Sequence, residues 1–167
     1  LQKLWDMGVS GVTHMPINLY GPEFPEQMEQ IGMGLGSELA FIRTAVEMNM
    51  FTFAYAGNCG DAESFAKAGA HIVSSHVGAT KGGEKGATTR LSLDDAAAIS
   101  RDIFAAARSV NPKVILFAHG GPMETPEDAR YVLERTDAQG FIGGSAAERM
   151  PIEKAILAAT QAFKSKG

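Results

Sequence analysis

The stretch VILFAHGGPMETPEDARYVL, residues 114–133, contains the unit from which this chain is built. Residues 114–118 form an uninterrupted apolar run, which is typical of a strand covered on both faces. A turn follows at His119-Gly120-Gly121-Pro122, and Thr125 with Pro126 then gives the cap-then-proline order that begins a helix. A buried strand, a glycine turn and a helix in this order predict one βα unit of a parallel sheet.

The same alternation extends in both directions along the chain. Strands are predicted at residues 9–15, 51–56, 71–75, 114–118 and 141–142. Helices are predicted at residues 1–7, 38–49, 61–68, 93–110, 126–135 and 151–164, whereas residues 18–36 show no clear period and are expected to form a long loop. Ser37 and Ser92 are candidate N-caps, and Asp95 is expected to complete an acidic capping box with Ser92. Five strands, each followed by a helix, predict an α/β fold with a parallel sheet.

Length and composition narrow the class of protein. The chain has 167 residues, with 15 Lys and Arg against 19 Asp and Glu, which gives a net charge of −4. One domain is expected at this length, and the mildly acidic balance argues against a nucleic-acid partner. The single cysteine, Cys59, excludes an internal disulfide and disfavours a thiolate zinc site. Because no apolar run approaches the ~18 residues of a membrane span and no signal peptide is seen, we expect a cytoplasmic domain without a membrane partner.

Two α/β architectures are compatible with this pattern of strands and helices. A doubly wound sheet fits the length, but such sheets usually begin with a strand and an early glycine-rich phosphate turn, whereas this chain begins in a predicted helix and its glycine turns come late. An eight-fold barrel needs ~250 residues, so five of its units need about 156. We therefore predict that residues 1–167 are the C-terminal portion of a single TIM-barrel domain. This partial (β/α)8 barrel would hold strands four to eight, with about three N-terminal βα units missing.

Polar residues follow the predicted strands. The carboxyl ends of barrel strands converge on one mouth, where active sites lie. The residues predicted at these ends are His14, Tyr55, Asn58, Ser75, His76 and His119. His76 and His119 suit general acid–base work because an unperturbed imidazole titrates near pH 6.5, and a structural hydrogen-bonding role is the alternative for each. Two histidines without neighbouring carboxylates are a poor metal signature, so the metal ligands stay unknown.

Glycine turns follow the last two predicted strands. Gly120-Gly121 and Gly143-Gly144-Ser145 occupy the places where barrels often hold a phosphate. Glycine lets backbone N–H groups approach an anion closely, and the Ser145 hydroxyl adds a donor. The alternative is that these glycines are only tight turns.

A further glycine-rich loop is predicted at residues 77–90. It contains three basic residues and four glycines, namely Lys81, Lys85, Arg90, Gly78, Gly82, Gly83 and Gly86. This composition suits a mobile lid that closes over an anionic substrate, and a solvated flexible loop is the alternative. Arg90 is the candidate for a substrate carboxylate because the guanidinium makes bidentate contacts.

Four stretches together resemble one known family. They are GMGLGSELAFIRTA (32–45), SHVGATKGGEKGATTRLSLDDA (75–96), NPKVILFAHGGPMETPEDARYVLERT (111–136) and GFIGGSAAERMPIEKAI (140–156). They are similar to the phosphoenolpyruvate-hydrolase-like TIM-barrel family, which also forms the C-terminal domain of proteins resembling the tomato mosaic virus resistance protein. The resemblance extends from about residue 7 to residue 164. Its pieces HGGP, PEDARYVLERT and GGSAAERMP are specific in combination.

The resemblance implies a barrel related to the phosphoenolpyruvate mutase and aldolase group, with a small anionic phosphorylated or phosphono substrate. At the mouth of the barrel, the matched motifs place His76, Gly78, His119, Gly120, Gly121, Ser145, Glu148 and Arg149. A divalent cation, Mg²⁺, is implied by the resemblance alone, with its acidic ligands expected on the upstream strands. Residues 14–24 depart from the family's usual Asn-Phe-Pro-Thr run, and His14 stands where Asn is expected.

These observations lead to two hypotheses about function. The first is a hydrolase- or lyase-type enzyme that acts on a phosphoenolpyruvate- or phosphonopyruvate-like substrate. His76, His119 and, through the resemblance, Glu148 are its predicted catalytic residues. Its predicted substrate- and phosphate-binding residues are Gly78, Arg90, Gly120, Gly121, Gly143, Gly144 and Ser145. The second is a non-catalytic phosphometabolite-binding or regulatory barrel, and in either case we expect a homo-oligomer.

Overall fold

The computed structural model describes residues 1–16, 24–84 and 86–165, and within them it contains five strands and seven helices. The strands are β1 (Gly11–Thr13), β2 (Phe51–Ala56), β3 (Ile72–His76), β4 (Ile115–His119) and β5 (Gly140–Phe141). The helices are α1 (Gln2–Asp6), α2 (Phe24–Gln30), α3 (Leu35–Glu47), α4 (Cys59–Lys67), α5 (Leu93–Val110), α6 (Pro126–Leu133) and α7 (Met150–Lys164). No helix in these ranges combines the length and apolar character that a membrane crossing needs.

The strand order distinguishes the two candidate architectures. The sheet runs β1-β2-β3-β4-β5, and every neighbouring pair is parallel. A doubly wound sheet reverses its order at a switch point, which places helices on both faces. In this sheet the order never reverses, so right-handed connections place the helices on one face. The predicted α/β class is confirmed, and the sheet is consistent with five consecutive units of a (β/α)8 barrel.

The two faces of the sheet differ in burial. Along β2 the residues alternate, with Thr52, Ala54 and Ala56 fully buried on the helix side and the residues between them partly exposed. The helix side forms the main core, in which strand residues such as Val73 and Leu116 pack with Phe65 and Phe104 from α4 and α5. Burying such side chains supplies most of the free energy that favours folding.

The other face, which we call the inner face, is concave. The rings of Phe53 on β2 and Phe117 on β4 lie 6.0 Å apart although β3 runs between their strands. Flat strands spaced about 4.8 Å apart would place β2 and β4 nearly 10 Å from each other. The rings therefore converge over β3, as expected for the interior side of a barrel.

Local capping signals set the start of two helices. The Ser92 hydroxyl accepts from the Asp95 N–H at 3.1 Å, and the Asp95 carboxylate accepts from the Ser92 N–H at 2.9 Å. The bonds from Ser92 hold the pKa of Asp95 below its ordinary value. Thr125 and Asp128 form the same reciprocal pair before α6, and Pro126 occupies the first turn. The predicted caps at Ser92 and Thr125 are confirmed, and α5 begins and ends at the predicted residues.

The region between β1 and α3 differs from its prediction. The loop expected at residues 18–36 contains the helix α2, while residues 17–23 lie outside the described residues. The helix α3 begins at Leu35 with Gly34 as its N-cap, so Ser37 does not cap it, and the Ser37 hydroxyl donates to the Gly34 carbonyl instead. The Glu29 carboxylate, from α2, accepts from the Gly36 N–H at 3.3 Å. A negative charge from another helix therefore stabilises this N-terminus.

We predict that Thr125→Ala lowers the free energy of unfolding by about 1 kcal/mol, because the first turn of α6 loses its side-chain acceptor. Urea unfolding measures the change. Thr44→Ala is the matched control, since the exposed Thr44 hydroxyl donates only to the Ala40 carbonyl of its own helix. We expect Thr44→Ala to leave the midpoint unchanged or slightly higher, because alanine has the higher helix propensity. Equal losses in both variants would contradict the capping role.

Candidate functional site

Three rings meet where β2, β3 and β4 end, and we call Tyr55, His76 and His119 the strand-end cluster. His76 lies opposite His119 in the parallel register of β3 and β4, and their ring centroids are 4.8 Å apart. The Tyr55 ring lies 5.7 Å from the ring of His76 and 5.1 Å from that of His119. The structure therefore brings the two predicted catalytic histidines together on the inner face.

Backbone contacts assign a different tautomer to each neutral imidazole. The Nδ1 of His76 lies 3.2 Å from the Gly78 N–H, which can only donate, so His76 carries its proton on Nε2. The Nδ1 of His119 lies 2.7 Å from the Ile142 carbonyl oxygen, which can only accept, so His119 carries its proton on Nδ1. His76 therefore presents an Nε2–H donor, and His119 presents an Nε2 lone pair.

Burial keeps both imidazoles neutral near pH 7. Burial, the larger cause, and the neighbouring His119 together lower the pKa of His76 from 6.5 to about 4. Burial also lowers the pKa of His119, although its bond to the Ile142 carbonyl acts in the opposite direction. The pKa of Tyr55 is raised by burial, so its hydroxyl stays protonated. The cluster thus offers a hydrogen-bond donor and a proton acceptor without a net charge.

The side chain of His14, a predicted strand-end residue, lies on the helix side of the sheet. Its ring is buried on the helix side, with its centroid 4.6 Å from that of Phe65. Its Nε2 accepts from the Tyr55 N–H at 2.9 Å, and its Nδ1 lies 3.3 Å from a carboxylate oxygen of Glu38, outside hydrogen-bond geometry. His14 therefore contacts the backbone of a cluster residue without joining the cluster on the inner face.

The first glycine turn is shaped by close packing. Gly120 and Gly121 have positive φ values of 83° and 58°. A Cβ on Gly120 would lie 2.2 Å from the Gly78 carbonyl oxygen, and one on Gly121 would lie 2.8 Å from the side chain of Val77. The Gly121 N–H already donates to the Gly78 carbonyl at 2.8 Å. This amide is therefore engaged within the protein, and a role of Gly120 and Gly121 in phosphate binding stays a prediction.

The second glycine turn keeps donors available. The Gly144 carbonyl accepts from the N–H groups of Ala147 and Glu148 at 3.0 and 2.9 Å, which shapes the turn that leads into α7. Among the described residues, nothing accepts from the amides of Gly143, Gly144 and Ser145 or from the Ser145 hydroxyl. The turn begins directly after Ile142, whose carbonyl holds His119. The turn is therefore a half-exposed group of hydrogen-bond donors that directly follows Ile142, the residue whose carbonyl bonds His119.

Three contacts with charged side chains hold the predicted lid. The Lys81 ammonium lies 3.2 Å from the Glu124 carboxylate. The Gly82 carbonyl accepts from the Arg149 guanidinium at 3.0 Å, and the Glu84 N–H donates to Glu153 at 3.0 Å. Lys85, the second predicted cation of the lid, lies outside the described residues. This part of the loop is thus held by charged groups that precede α6 and begin α7.

Two predicted site residues form no side-chain hydrogen bond or ion pair with the described cluster residues. Arg90 and Glu148 are both exposed, and neither forms an ion pair or side-chain hydrogen bond with the described part of the chain. Their roles toward a substrate stay predictions. In the same ranges, no three His, Cys, Asp or Glu side chains are grouped to hold a metal ion. The described residues therefore supply no Mg²⁺ site of their own, and the Mg²⁺ implied by the resemblance, with ligands on upstream strands, stays a prediction.

Two residues of the inner face were not assigned a role from the sequence. Tyr55 was a strand-end residue without a role, and its contacts with both imidazoles arise from strand neighbours that only the sheet order reveals. Ser74 is fully buried on β3, and its hydroxyl has no hydrogen-bond partner in the described part of the chain. The spacing of Ser74 and His76, two residues apart in a strand, is the signal that they share a face. Ser75 between them points to the helices and bonds Ser100 at 2.8 Å.

A sequential parallel sheet with helices on one face and a polar cluster at the carboxyl ends of its strands defines a TIM-barrel-type α/β domain. The chain belongs to the phosphoenolpyruvate hydrolase-like family, whose profile matches residues 1–165. The family resemblance predicted from the four sequence stretches is confirmed.

Similar proteins are found among curated sequences and solved structures. The ToMV susceptible protein tm-1(GCR26) and the ToMV resistance protein Tm-1(GCR237), both from Solanum lycopersicum, are 40% and 39% identical to this chain over 167 residues. Each alignment covers 99% of this chain and 22% of the relative, so the chain spans about a fifth of their length. A structure described as "Native KDPGal structure" shares 17% identity with a TM-score of 0.43, covering 98% of this chain and 74% of that chain.

We predict that His76 titrates with a midpoint near pH 4 and that His119→Asn moves this pKa upward, because a neighbouring positive charge is removed. The measurement is an NMR titration of the imidazole Cε1–H signals. Since the folded-state pKa lies below the ordinary value of 6.5, the unfolded chain binds more protons as the pH falls from 6.5 toward 4. Stability should therefore fall through that window. His71→Asn is the control, and a His76 midpoint near 6.5 in the wild type would contradict the prediction.

Proposed function

We propose that this chain carries the strand-end active site of a hydrolase- or lyase-type enzyme that acts on a small phosphoenolpyruvate- or phosphonopyruvate-like substrate. One observation carries the proposal: two neutral imidazoles lie 4.8 Å apart, one presenting a proton donor and the other a proton acceptor. The family description supports the substrate class.

The imidazole pair suits the transfer of a phosphoryl group to water. His119 Nε2 accepts a proton from a water molecule while the water oxygen forms a bond to phosphorus. The bond from phosphorus to the enol oxygen, or to carbon in a phosphonate, breaks while the neutral His76 Nε2–H donates a hydrogen bond to the departing atom, which takes its proton from solvent. The products are inorganic phosphate and pyruvate, formed directly from the phosphonate or after the released enol takes its keto form, and His119 returns its proton to solvent. General acid–base catalysis of this kind contributes about 10²–10⁴-fold to a rate.

The turn at residues 143–145 is the proposed phosphate site. Its three amides and the Ser145 hydroxyl have no partner among the described residues, and backbone N–H groups of this kind bind phosphate oxygens. The Gly78 amide serves the reaction indirectly, because it fixes the tautomer of His76. In this proposal the exposed Arg90 guanidinium receives the substrate carboxylate, and Glu148, three residues after Ser145, acts as an additional proton-transfer group.

A second candidate is a non-catalytic domain that binds a phosphorylated metabolite. The curated relatives favour it, since they are described as virus susceptible and resistance proteins and not as enzymes. A binding domain should be stabilised thermally by phosphoenolpyruvate while releasing no phosphate, because a ligand that binds the folded state raises its stability. An enzyme should release phosphate and pyruvate in equal amounts.

We predict that His119→Asn lowers kcat for phosphate release by at least about 100-fold, because the proton acceptor is lost. The assay follows phosphate and pyruvate from phosphoenolpyruvate and from phosphonopyruvate in the intact protein. His71→Asn, which changes a histidine at the opposite end of β3, should leave kcat within about twofold, as expected of a residue outside the site. Unchanged turnover in His119→Asn would remove this residue from the mechanism.

We predict that Ser145→Ala raises KM about tenfold with little change in kcat, because a hydroxyl donor to the phosphate is lost in both the ground state and the transition state. Steady-state kinetics on the same substrates measure the two constants. The matched control is Ser165→Ala, since the exposed Ser165 hydroxyl donates to a carbonyl at the end of α7. If KM is equal in Ser145→Ala and the wild type, the phosphate does not lie on this turn.

A further inference from the structure

A histidine ring nitrogen binds the backbone of β2 near each end. At the beginning, the Thr52 N–H donates to Nδ1 of His71 at 3.2 Å, and the Thr52 hydroxyl lies 2.8 Å from the same nitrogen. At the far end, the Tyr55 N–H donates to Nε2 of His14 at 2.9 Å. The two contacts are chemically alike, but only the second lies beside the strand-end cluster.

The His14 contact replaces a missing backbone partner. The β1–β2 ladder ends with the pair Thr13 and Phe53, so beyond it the His14 side chain supplies an acceptor for the Tyr55 N–H. A buried N–H without a partner is unfavourable, which makes this contact important for the end of the strand. Pro16 follows closely and restricts the backbone before it, which helps the chain leave the sheet here. These local features explain why β1 is shorter than predicted.

Glu38 places a carboxylate beside the ring that makes this contact. Because Nε2 of His14 accepts from Tyr55, the proton of the neutral ring lies on Nδ1, 3.3 Å from the Glu38 carboxylate. Both side chains are more than nine-tenths buried, and the Phe65 ring packs against the imidazole. The ring therefore has one defined orientation and one defined tautomer.

We propose that Glu38 and His14 are positioning residues for the proposed reaction: they fix Tyr55 at the end of β2, and the Tyr55 ring in turn sets the arrangement of His76 and His119. These contacts connect His14 on the helix side of the sheet with the two imidazoles on the inner face. Tyr55 is the link because its N–H contacts His14 while its ring lies within 6 Å of both imidazoles. The expected effect on turnover rests on the proposed function, whereas the expected effect on the positions of the rings does not.

The test compares three variants of the intact protein with ¹³C-labelled histidine Cε1. His14→Phe keeps a packed ring but removes the acceptor, His14→Gln keeps an acceptor, and His71→Phe removes the matching contact at the other end of the same strand. The first readout is the set of NOEs from the Tyr55 ring protons to the Cε1–H of His76 and His119. We expect His14→Phe to weaken both NOEs, His14→Gln to restore them in part, and His71→Phe to leave them unchanged.

The second readout is steady-state kinetics, where we expect His14→Phe to lower kcat on the order of 10- to 100-fold with KM nearly unchanged, because misplaced groups slow the chemical step. Glu38→Gln should act in the same direction, and it serves as the test variant if His14→Phe does not fold. Equal NOE changes in the His14 and His71 variants, or none in either, would overturn the proposal. Weakened NOEs in His14→Phe, in a protein whose wild type turns over neither substrate, would support positioning and refute the proposed function.

Discussion

The parallel register of β3 and β4 places His76 opposite His119, and the candidate site depends on this pairing. Successive residues of a strand point to opposite faces, so a slip of one residue would send one imidazole to the helix side. The register is held on the helix side, where Val73 and Leu116 are fully buried in the core. Apolar packing on one face of the sheet thus determines which polar groups meet on the other.

The segments that follow the strands determine which ring nitrogen of each histidine carries the proton. A backbone N–H from the loop after β3 and a backbone carbonyl from the segment after β5 assign opposite tautomers to two otherwise similar rings. The glycines at 120 and 121 allow the β4 loop to approach the β3 loop closely enough for the Gly121–Gly78 hydrogen bond. The positions of the ring donor and the ring acceptor therefore arise from main-chain geometry, with no carboxylate needed beside either ring.

Features set by neighbouring residues could be predicted from the sequence, and features set by distant ones could not. The bounds of β2 and α5 were predicted correctly, because alternation and a capping box lie within a few residues of each other. The start of α3 was not, because its cap comes from Glu29 on another helix. His76 and His119 follow from strand ends, whereas the helix-side position of His14 and the engaged Gly121 amide depend on contacts between separate elements. For Arg90 and Glu148 the sequence indicated charge, but no neighbouring group defines a place for either in the cluster.

The hydrogen bond from Arg149 to the loop between β3 and α5 couples the local unfolding of that loop to the start of α7. A segment with four glycines has much backbone entropy to lose on ordering, so its own sequence gives it little reason to hold one shape. The Arg149 guanidinium bonds the Gly82 carbonyl while pairing with Glu153 at 2.8 Å, and Glu153 also accepts from the Glu84 N–H. Fraying of the first turn of α7 would release these contacts together. Loop and helix terminus therefore belong to one cooperative unit, and amide protons more than 60 residues apart in the chain should exchange with solvent through the same opening event.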